Sequence, residues 1–322
     1  MLPRMTHATP ASSRLAAGIA CGVGAGALWG LVFLAPQLLH DFSPLQLSAS
    51  RYLAYGLVAA VVLAPRWRRA TAGIGATEWW ALARLSVLGN LLYYVLLGTA
   101  VQWAGGAASS LIVGMVPVVV TLAGTRRGGL GELRRLAGPT ALCVLGMALV
   151  ATQALAAGDA HAVPLGRRVA GLACAFGALL SWSAYSVANA RWLSRLPATS
   201  AQDWSLLTGV VTGALALLLA VPAFVLDAAP HRGADWLRFW AVAAVLAVLA
   251  SVVGNALWNG ASRRLPLALV GQMIVFETVF ALLYAFAWNR RGPTALELAA
   301  IASLLAGVLW CAWVHRPRPP SG

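Results

Sequence analysis

The sequence predicts an all-α membrane protein with ten transmembrane helices arranged as two inverted five-helix repeats. Three observations carry that expectation: an apolar composition, ten separate apolar segments and an internal repeat. The 322-residue chain is 60% hydrophobic and 10% charged, with a mean hydropathy of +0.78. A water-soluble protein of this length needs a far more polar surface. The stretches between apolar segments are at most roughly a dozen residues long, too short for a separate soluble domain.

The apolar segments are expected at about 15–39, 44–64, 79–103, 105–124, 136–156, 168–190, 204–227, 237–259, 265–287 and 293–314. His40-Asp41-Phe42-Ser43-Pro44, Gly105-Gly106 and Gly292-Pro293 punctuate them. Helices are required because the backbone must satisfy its own hydrogen bonds in lipid. The first apolar run, about 24 residues, is too long for the h-region of a cleaved signal peptide and is taken as a membrane helix. In that segment Gly18, Gly22 and Gly26 form a small-residue face at four-residue spacing. Such a GxxxG-like face allows close helix packing and permits a homodimer.

The repeat is seen when Ala17–Trp29 (AGIACGVGAGALW) is set against Ala170–Trp182 (AGLACAFGALLSW), with seven identities in thirteen positions. A second echo sets Gly89-Asn90-Leu91-Leu92-Tyr93 against Gly254-Asn255-Ala256-Leu257-Trp258. These matches fall in segments one and six, and three and eight. The organisation expected is a tail at 1–14, repeats at 15–156 and 157–314, and a tail at 315–322. With five helices in each half, the halves enter the membrane from opposite sides. That architecture belongs to alternating-access transporters, which bind substrate near the midplane between halves.

Charge sets the orientation and excludes other classes. The net charge of +14 comes from 23 basic residues, all of them Arg. They lie in short loops with no continuous basic face, so no nucleic-acid partner is expected. Fifteen Arg fall on the side of the N-terminus and six on the other, which predicts both termini in the cytoplasm. Cys21, Cys143, Cys174 and Cys311 lie inside apolar segments without CxxC or CxH spacing. They are read as packing residues, with no metal site and no disulfide framework. There is no P-loop, GxSxG, HExxH or dinucleotide fingerprint. No cofactor and no enzyme activity are expected. The partners expected are the lipid bilayer and a small-molecule substrate.

The leading candidate residue is Glu277, the single carboxylate in the bilayer-length stretch Leu267–Trp288. An acid at that depth costs a few kcal/mol and normally faces a protein interior or a watery cavity. It is a candidate for binding a substrate amine or taking up a coupling proton, against a structural acid hydrogen-bonded to the Asn side chains of segment eight. Arg51 lies about 10 Å below the membrane surface by helical rise. It is a candidate for a substrate carboxylate or for pairing with Glu277, against snorkelling to the interface. Arg84 is expected to snorkel, and Glu297 to serve the N-terminal dipole of the last helix. Trp29, Asn90, Tyr93, Tyr94, Trp182, Tyr185, Asn255, Trp258, Asn259 and Gln272 are the remaining candidates for a substrate pocket. Pocket walls and interhelical packing compete as explanations for this set. Pro36 and Pro117 are candidate hinges, since Pro frees a backbone carbonyl and kinks a helix.

The chain resembles the drug/metabolite transporter superfamily, in particular its EamA-type ten-helix members. The resemblance rests on LWGLVFLAPQLL in the first helix, SASRYLAYGL in the second and SSLIVGMVPVVVTLAG in the fourth. In the second half it rests on GNALWNGASRRLPLALVGQMIVFETVFALLYAF and LLAGVLW. It covers about residues 15–314. It implies a secondary transporter with a central cavity lined by both halves; members often export amino acids or other metabolites. The family's second-helix Arg corresponds to Arg51 and its ninth-helix acid to Glu277. The Pro that follows this acid in the family is replaced by Thr278, while the corresponding first-half position keeps Pro117. Segment nine is also similar to that of bacterial aromatic amino-acid exporters. The function expected is export of small metabolites, most readily amino acids, across the bacterial inner membrane. Uptake of a sugar, nucleobase or cofactor precursor is the alternative, and a passive channel is the alternative of a different class.

Overall fold

The computed structural model describes residues 11–125, 129–156, 163–196, 199–225, 230–265 and 273–314. Gln272 and the C-terminal tail lie outside these, as does most of the N-terminal tail. The described residues are helical apart from short connections, with no strand among them. The helices are α1 (Ala11–Leu38), α2 (Pro44–Leu63), α3 (Ala76–Ala104), α4 (Gly106–Val113), α5 (Val116–Thr125), α6 (Gly129–Ala156), α7 (Leu165–Arg195), α8 (Ala201–Val225), α9 (Gly233–Ser262), α10 (Val275–Trp288) and α11 (Ala295–Val314). Seven stretches are long and apolar enough to cross a membrane, and Gly106–Val120, Val275–Trp288 and Ala295–Cys311 are shorter apolar helices.

Local chemistry explains the boundaries. α2 opens with Ser43 as N-cap and Pro44 in the first turn. Ser43 Oγ accepts from the Gln46 N–H, and Gln46 Oε1 accepts from the Ser43 N–H, a reciprocal cap. α3 ends at Gly105, whose φ of 91° suits a residue without Cβ. The fourth apolar segment, expected as one helix, is two. It breaks at Gly114-Met115, and Pro117 sits in the first turn of α5, where its missing N–H costs nothing. α10 likewise begins after a turn at Ile274, although Thr278 stands where the family carries Pro. The restart therefore does not depend on proline. Pro36 is buried near the end of α1, which stops two residues later.

Two long helices depart from α geometry in their middles. Val87–Leu91 in α3 and Ala247–Val253 in α9 are π-helical. The first contains Gly89-Asn90 and the second ends directly before Gly254-Asn255. Such segments loosen one turn of backbone hydrogen bonding and often mark functional positions.

The helices pack in a cross-linked pattern. α1 lies along α9 and α10, α7 lies along α3, α4 and α5, and α2·α8, α4·α10 and α6·α11 are direct pairs. Matched in the order the expected repeat gives, the pairs just named exchange among themselves. Small residues make the approaches possible. A Cβ on Gly22 would lie 2.6 Å from Met273, and one on Gly26 would lie 2.7 Å from Phe276 and 2.9 Å from the Glu277 nitrogen. The Gly18, Gly22 and Gly26 face is therefore occupied within the chain, and a contact with a second copy must use another face. At the α2·α8 crossing, Gly56 and Gly213 meet backbone to backbone.

Gly213→Val should therefore destabilise the fold. Forcing a side chain into a filled crossing costs about 1–3 kcal/mol, seen as a lower thermal midpoint or loss of monodisperse protein in detergent. Gly73→Ala, where a Cβ would meet nothing within 4 Å, should leave both unchanged.

Candidate functional site

A chamber of about 120 Å³ lies where α1, α2, α3, α7, α8, α9 and α10 converge. It is lined by both candidate charges, Arg51 and Glu277, together with Trp29, Asn90, Tyr93, Trp182, Tyr185 and Asn255. A larger vestibule of about 400 Å³ shares Trp29, Trp182, Tyr185 and Asn255 with the chamber. It runs past Trp258, Asn259 and Pro117 to Leu193 and Ala201, at the end of the bundle where α1 begins. At the other end Asp41 and Arg238 pair at 2.9 Å, Phe42 stacks on His231 at 4.1 Å and meets Phe239 at a tilt at 4.4 Å between ring centroids, and a separate cavity of about 420 Å³ is lined by Gln102, Gly105 and Arg291. Gln102 Nε2 donates to the Phe42 carbonyl at 2.9 Å, tying α3 to the same contacts.

Arg51 is the most unusual group in the chamber wall. It is 7% exposed, and its Nε and Nη1 are buried without a hydrogen-bond partner. Its guanidinium carbon lies 4.4 Å from the centroid of the Tyr94 ring and 5.1 Å from that of Tyr52. Aromatic faces attract the cation while its Nε and Nη1 are left without an acceptor. Arg51 does not snorkel, since these contacts hold it inside the bundle. Tyr94, expected in the pocket, sits behind Arg51 and does not line the chamber.

Glu277 faces the chamber from the first turn of α10, where the helix N-terminus favours a carboxylate. It also borders a small void of about 20 Å³ shared with Phe33, Tyr93, Trp182 and Thr278. Arg51 and Glu277 thus border one space, and no ion pair joins them. Glu297, by contrast, is 4% exposed and fully engaged. It accepts two hydrogen bonds of 2.7 Å from Arg291 and one of 2.8 Å from the Thr294 N–H.

The two π segments hold the site's frame. In α9 the Ala250 carbonyl accepts from Trp29 Nε1 at 3.0 Å. In α3 the Leu88 carbonyl accepts from Ser181 Oγ at 2.7 Å, and the Leu91 carbonyl from Ser48 Oγ at 3.3 Å. The glycine of each Gly-Asn pair lies under a ring from the crossing helix: Gly89 under Tyr185 and Gly254 under Trp29. Trp29 also meets Trp258 at 5.3 Å, and Trp182 meets Tyr185 at 6.0 Å. Asn90 lines the chamber while donating to Thr212 Oγ1 at 2.9 Å, so it serves packing as well as the wall. Trp258 and Asn259 line the vestibule only, and Pro36 lines neither space.

Several wall residues escaped the sequence reading: Tyr52, Tyr55, Ser205, Thr208 and Ser251. Tyr52 and Tyr55 flank Arg51 in α2, and that proximity was a usable signal. Ser205 and Thr208 gave none, because small hydroxyls are inexpensive in any membrane helix, bonding back to their own backbone as Thr208 does to the Trp204 carbonyl.

Two consecutive stretches, residues 16–152 and 169–313, each match the model of the EamA-like transporter family. The chain belongs to that family and is a multi-pass membrane transporter; the family points to solute movement and not to catalysis. The chain is 32% identical over 310 residues to the inner membrane protein YtfF of Escherichia coli (strain K12), covering 91% of this chain and 94% of that protein. It is also similar to a protein of known crystal structure, with a TM-score of 0.61 at 18% identity over 94% of this chain and 98% of that one. At that identity the likeness concerns the fold alone.

Ser181→Ala should strip the Leu88 carbonyl of its side-chain donor. A buried group left unsatisfied costs about 1–3 kcal/mol, measurable as a lowered thermal midpoint in detergent. Ser194→Ala, which removes an exposed bond to the Arg191 carbonyl, should have no comparable effect.

Proposed function

We propose that the chain is a secondary transporter of the bacterial inner membrane that exports small zwitterionic metabolites, amino acids first, by alternating access. The observation that carries this is the chamber holding the buried, hydrogen-bond-deficient guanidinium of Arg51 opposite the carboxylate of Glu277. A substrate carboxylate would supply the acceptors that Arg51 lacks, and a substrate ammonium would meet Glu277. The chamber has the size of an amino-acid head group. The adjoining vestibule, with Trp29, Trp182 and Trp258, offers room and aromatic surface for a side chain. When no substrate amine is present, Glu277 is the group available to take up a coupling proton.

The mechanism rests on reading the chain as two five-helix repeats, 15–156 and 157–314, that cross the membrane ten times in all. The two matches to the family model support this, as do the helix pairs that exchange among themselves when the halves are matched. In such a frame one half rocks against the other about a fixed site. The discontinuities at Gly114-Met115 and Ile274, with Pro117, are the candidate bending points. A chamber that shares its lining with a vestibule toward one end, while Asp41–Arg238 and the Phe42 contacts cross the other, fits one of two alternating states. The excess of Arg on the N-terminal side would put both termini, and that open end, in the cytoplasm. The inner-membrane location follows YtfF, and the direction of transport follows the family resemblance.

Counterflow in proteoliposomes tests the reading, with one unlabelled compound preloaded and entry of its labelled form followed. Saturable exchange of an amino acid is expected. Arg51→Ala and Glu277→Gln should each reduce it about tenfold or more, since a lost charge-assisted hydrogen bond costs about 1.5–3 kcal/mol. Normal exchange by both variants would sink the pocket assignment. Exchange of a sugar or nucleobase with amino acids silent would replace the substrate class, and flux that never saturates would indicate a channel.

A further inference from the structure

On the outer surface of the bundle, away from the chamber, a groove of about 530 Å³ runs between α3 and α7. One polar side of it is formed by Thr77 and Arg84, both exposed, which share a face of α3 at seven-residue spacing. Arg84 has no ion-pair partner among the described residues. The floor continues along α3 as Leu85 and Leu88 and is completed by Ala188 of α7. Trp80, 68% exposed, stands on one rim and Trp192 on the other.

The chemistry of this groove is that of an amphiphile with an anionic head. It holds a cation and a hydroxyl at one end, an apolar track leading away from them, and no carboxylate in its lining. Arg195 adds a second cation at the rim, its guanidinium carbon 5.5 Å from the Trp192 ring centroid. The nearby acid, Glu78, is committed to capping α3, accepting from the Gly75 N–H at 2.8 Å. Thr77 lies at the start of α3 and Trp192 three residues before the end of α7, on the same side of the bundle, at headgroup level. Arg84 lies about 12 Å into α3 by helical rise, and its long side chain can reach back to that level by snorkelling. Indole rings are favoured at that level.

We propose that this groove binds one anionic phospholipid, its phosphate held by Arg84 and Thr77 and an acyl chain lying along Leu85, Leu88 and Ala188. The occupied groove would back onto the π segment of α3. Leu88, which floors the groove, gives its carbonyl to Ser181, and the next two residues, Gly89 and Asn90, line the chamber. The lipid would thus brace the outer side of a segment whose inner side forms the candidate site. The proposal does not depend on the substrate assignment.

Native mass spectrometry of the intact, detergent-purified protein, titrated with phosphatidylglycerol or phosphatidylcholine, provides the test. Wild type should retain phosphatidylglycerol in preference to phosphatidylcholine. Arg84→Gln should weaken that retention about five-fold, as expected for one cation at the membrane surface, while Arg84→Lys keeps most of it. Arg238→Gln, at the opposite end of the bundle, should leave retention unchanged. Equal retention of both lipids by wild type, or the same loss from Arg238→Gln as from Arg84→Gln, would overturn the proposal. A readout that needs no variant is quenching of tryptophan fluorescence by brominated lipid. Stronger quenching by brominated phosphatidylglycerol than by brominated phosphatidylcholine supports the site, and equal quenching contradicts it.

Discussion

Within a bilayer every backbone N–H and carbonyl must find its partner inside the protein, because lipid offers none. Regular α-helices meet this requirement locally. α3 and α9 do not, since each carries a π segment at mid-length. Their loosened turns place carbonyls where neighbouring helices supply donors: Trp29 for Ala250, Ser181 for Leu88 and Ser48 for Leu91. Each donor comes from a different helix, and two of the three bonds join α1 to α9 and α7 to α3. The architecture around the chamber therefore hangs on backbone that its own helix cannot fully satisfy. Two of these three cross-helix bonds also bind one half of the chain to the other.

Close approach is the second requirement, and glycine meets it. Gly89 and Gly254 admit the rings of Tyr185 and Trp29, Gly26 admits the restart of α10 at Glu277, and Gly56 faces Gly213. Where helices come so near, there is little volume left for large side chains, and the space between them is either filled or a small polar chamber. Arg51 and Glu277 occupy that chamber from opposite helices. A buried guanidinium cushioned on Tyr52 and Tyr94 has its Nε and Nη1 without an acceptor. That is a costly arrangement for stability alone and a useful one for recognising an anionic group.

Much of this was readable in the sequence. Apolar segments bounded by Gly, Pro and charge placed most of the described helices to within a few residues, the sixth starting seven residues before its segment and the seventh ending five beyond, because the length of a membrane span and the cost of charge inside it leave few alternatives. The Gly-Asn echo, read as a sign of the repeat, falls on two stretches that border the chamber, although its local structure was hidden: periodicity shows a helix but not a π turn within it. Glu277 and Arg51 stood out because isolated charges in apolar runs are rare. Tyr94 illustrates the limit, since adjacency to Tyr93 says nothing about which of the two rings faces a cavity and which backs onto a guanidinium. The face of Gly18, Gly22 and Gly26 was legible as a packing surface, while its partner was not.

By itself the sequence determined that the chain is an all-helical membrane protein, where its apolar segments lie, and which charges are anomalous. Each follows from transfer free energies that depend only on local composition. Tertiary structure alone decided that Arg51 and Glu277 border one chamber without pairing, that the fourth apolar segment is two helices, and that Asp41, Arg238, Phe42 and His231 meet at one end. Those outcomes depend on the rotation and depth of each helix against its neighbours. Side-chain packing over many helices sets both, and no single segment encodes either.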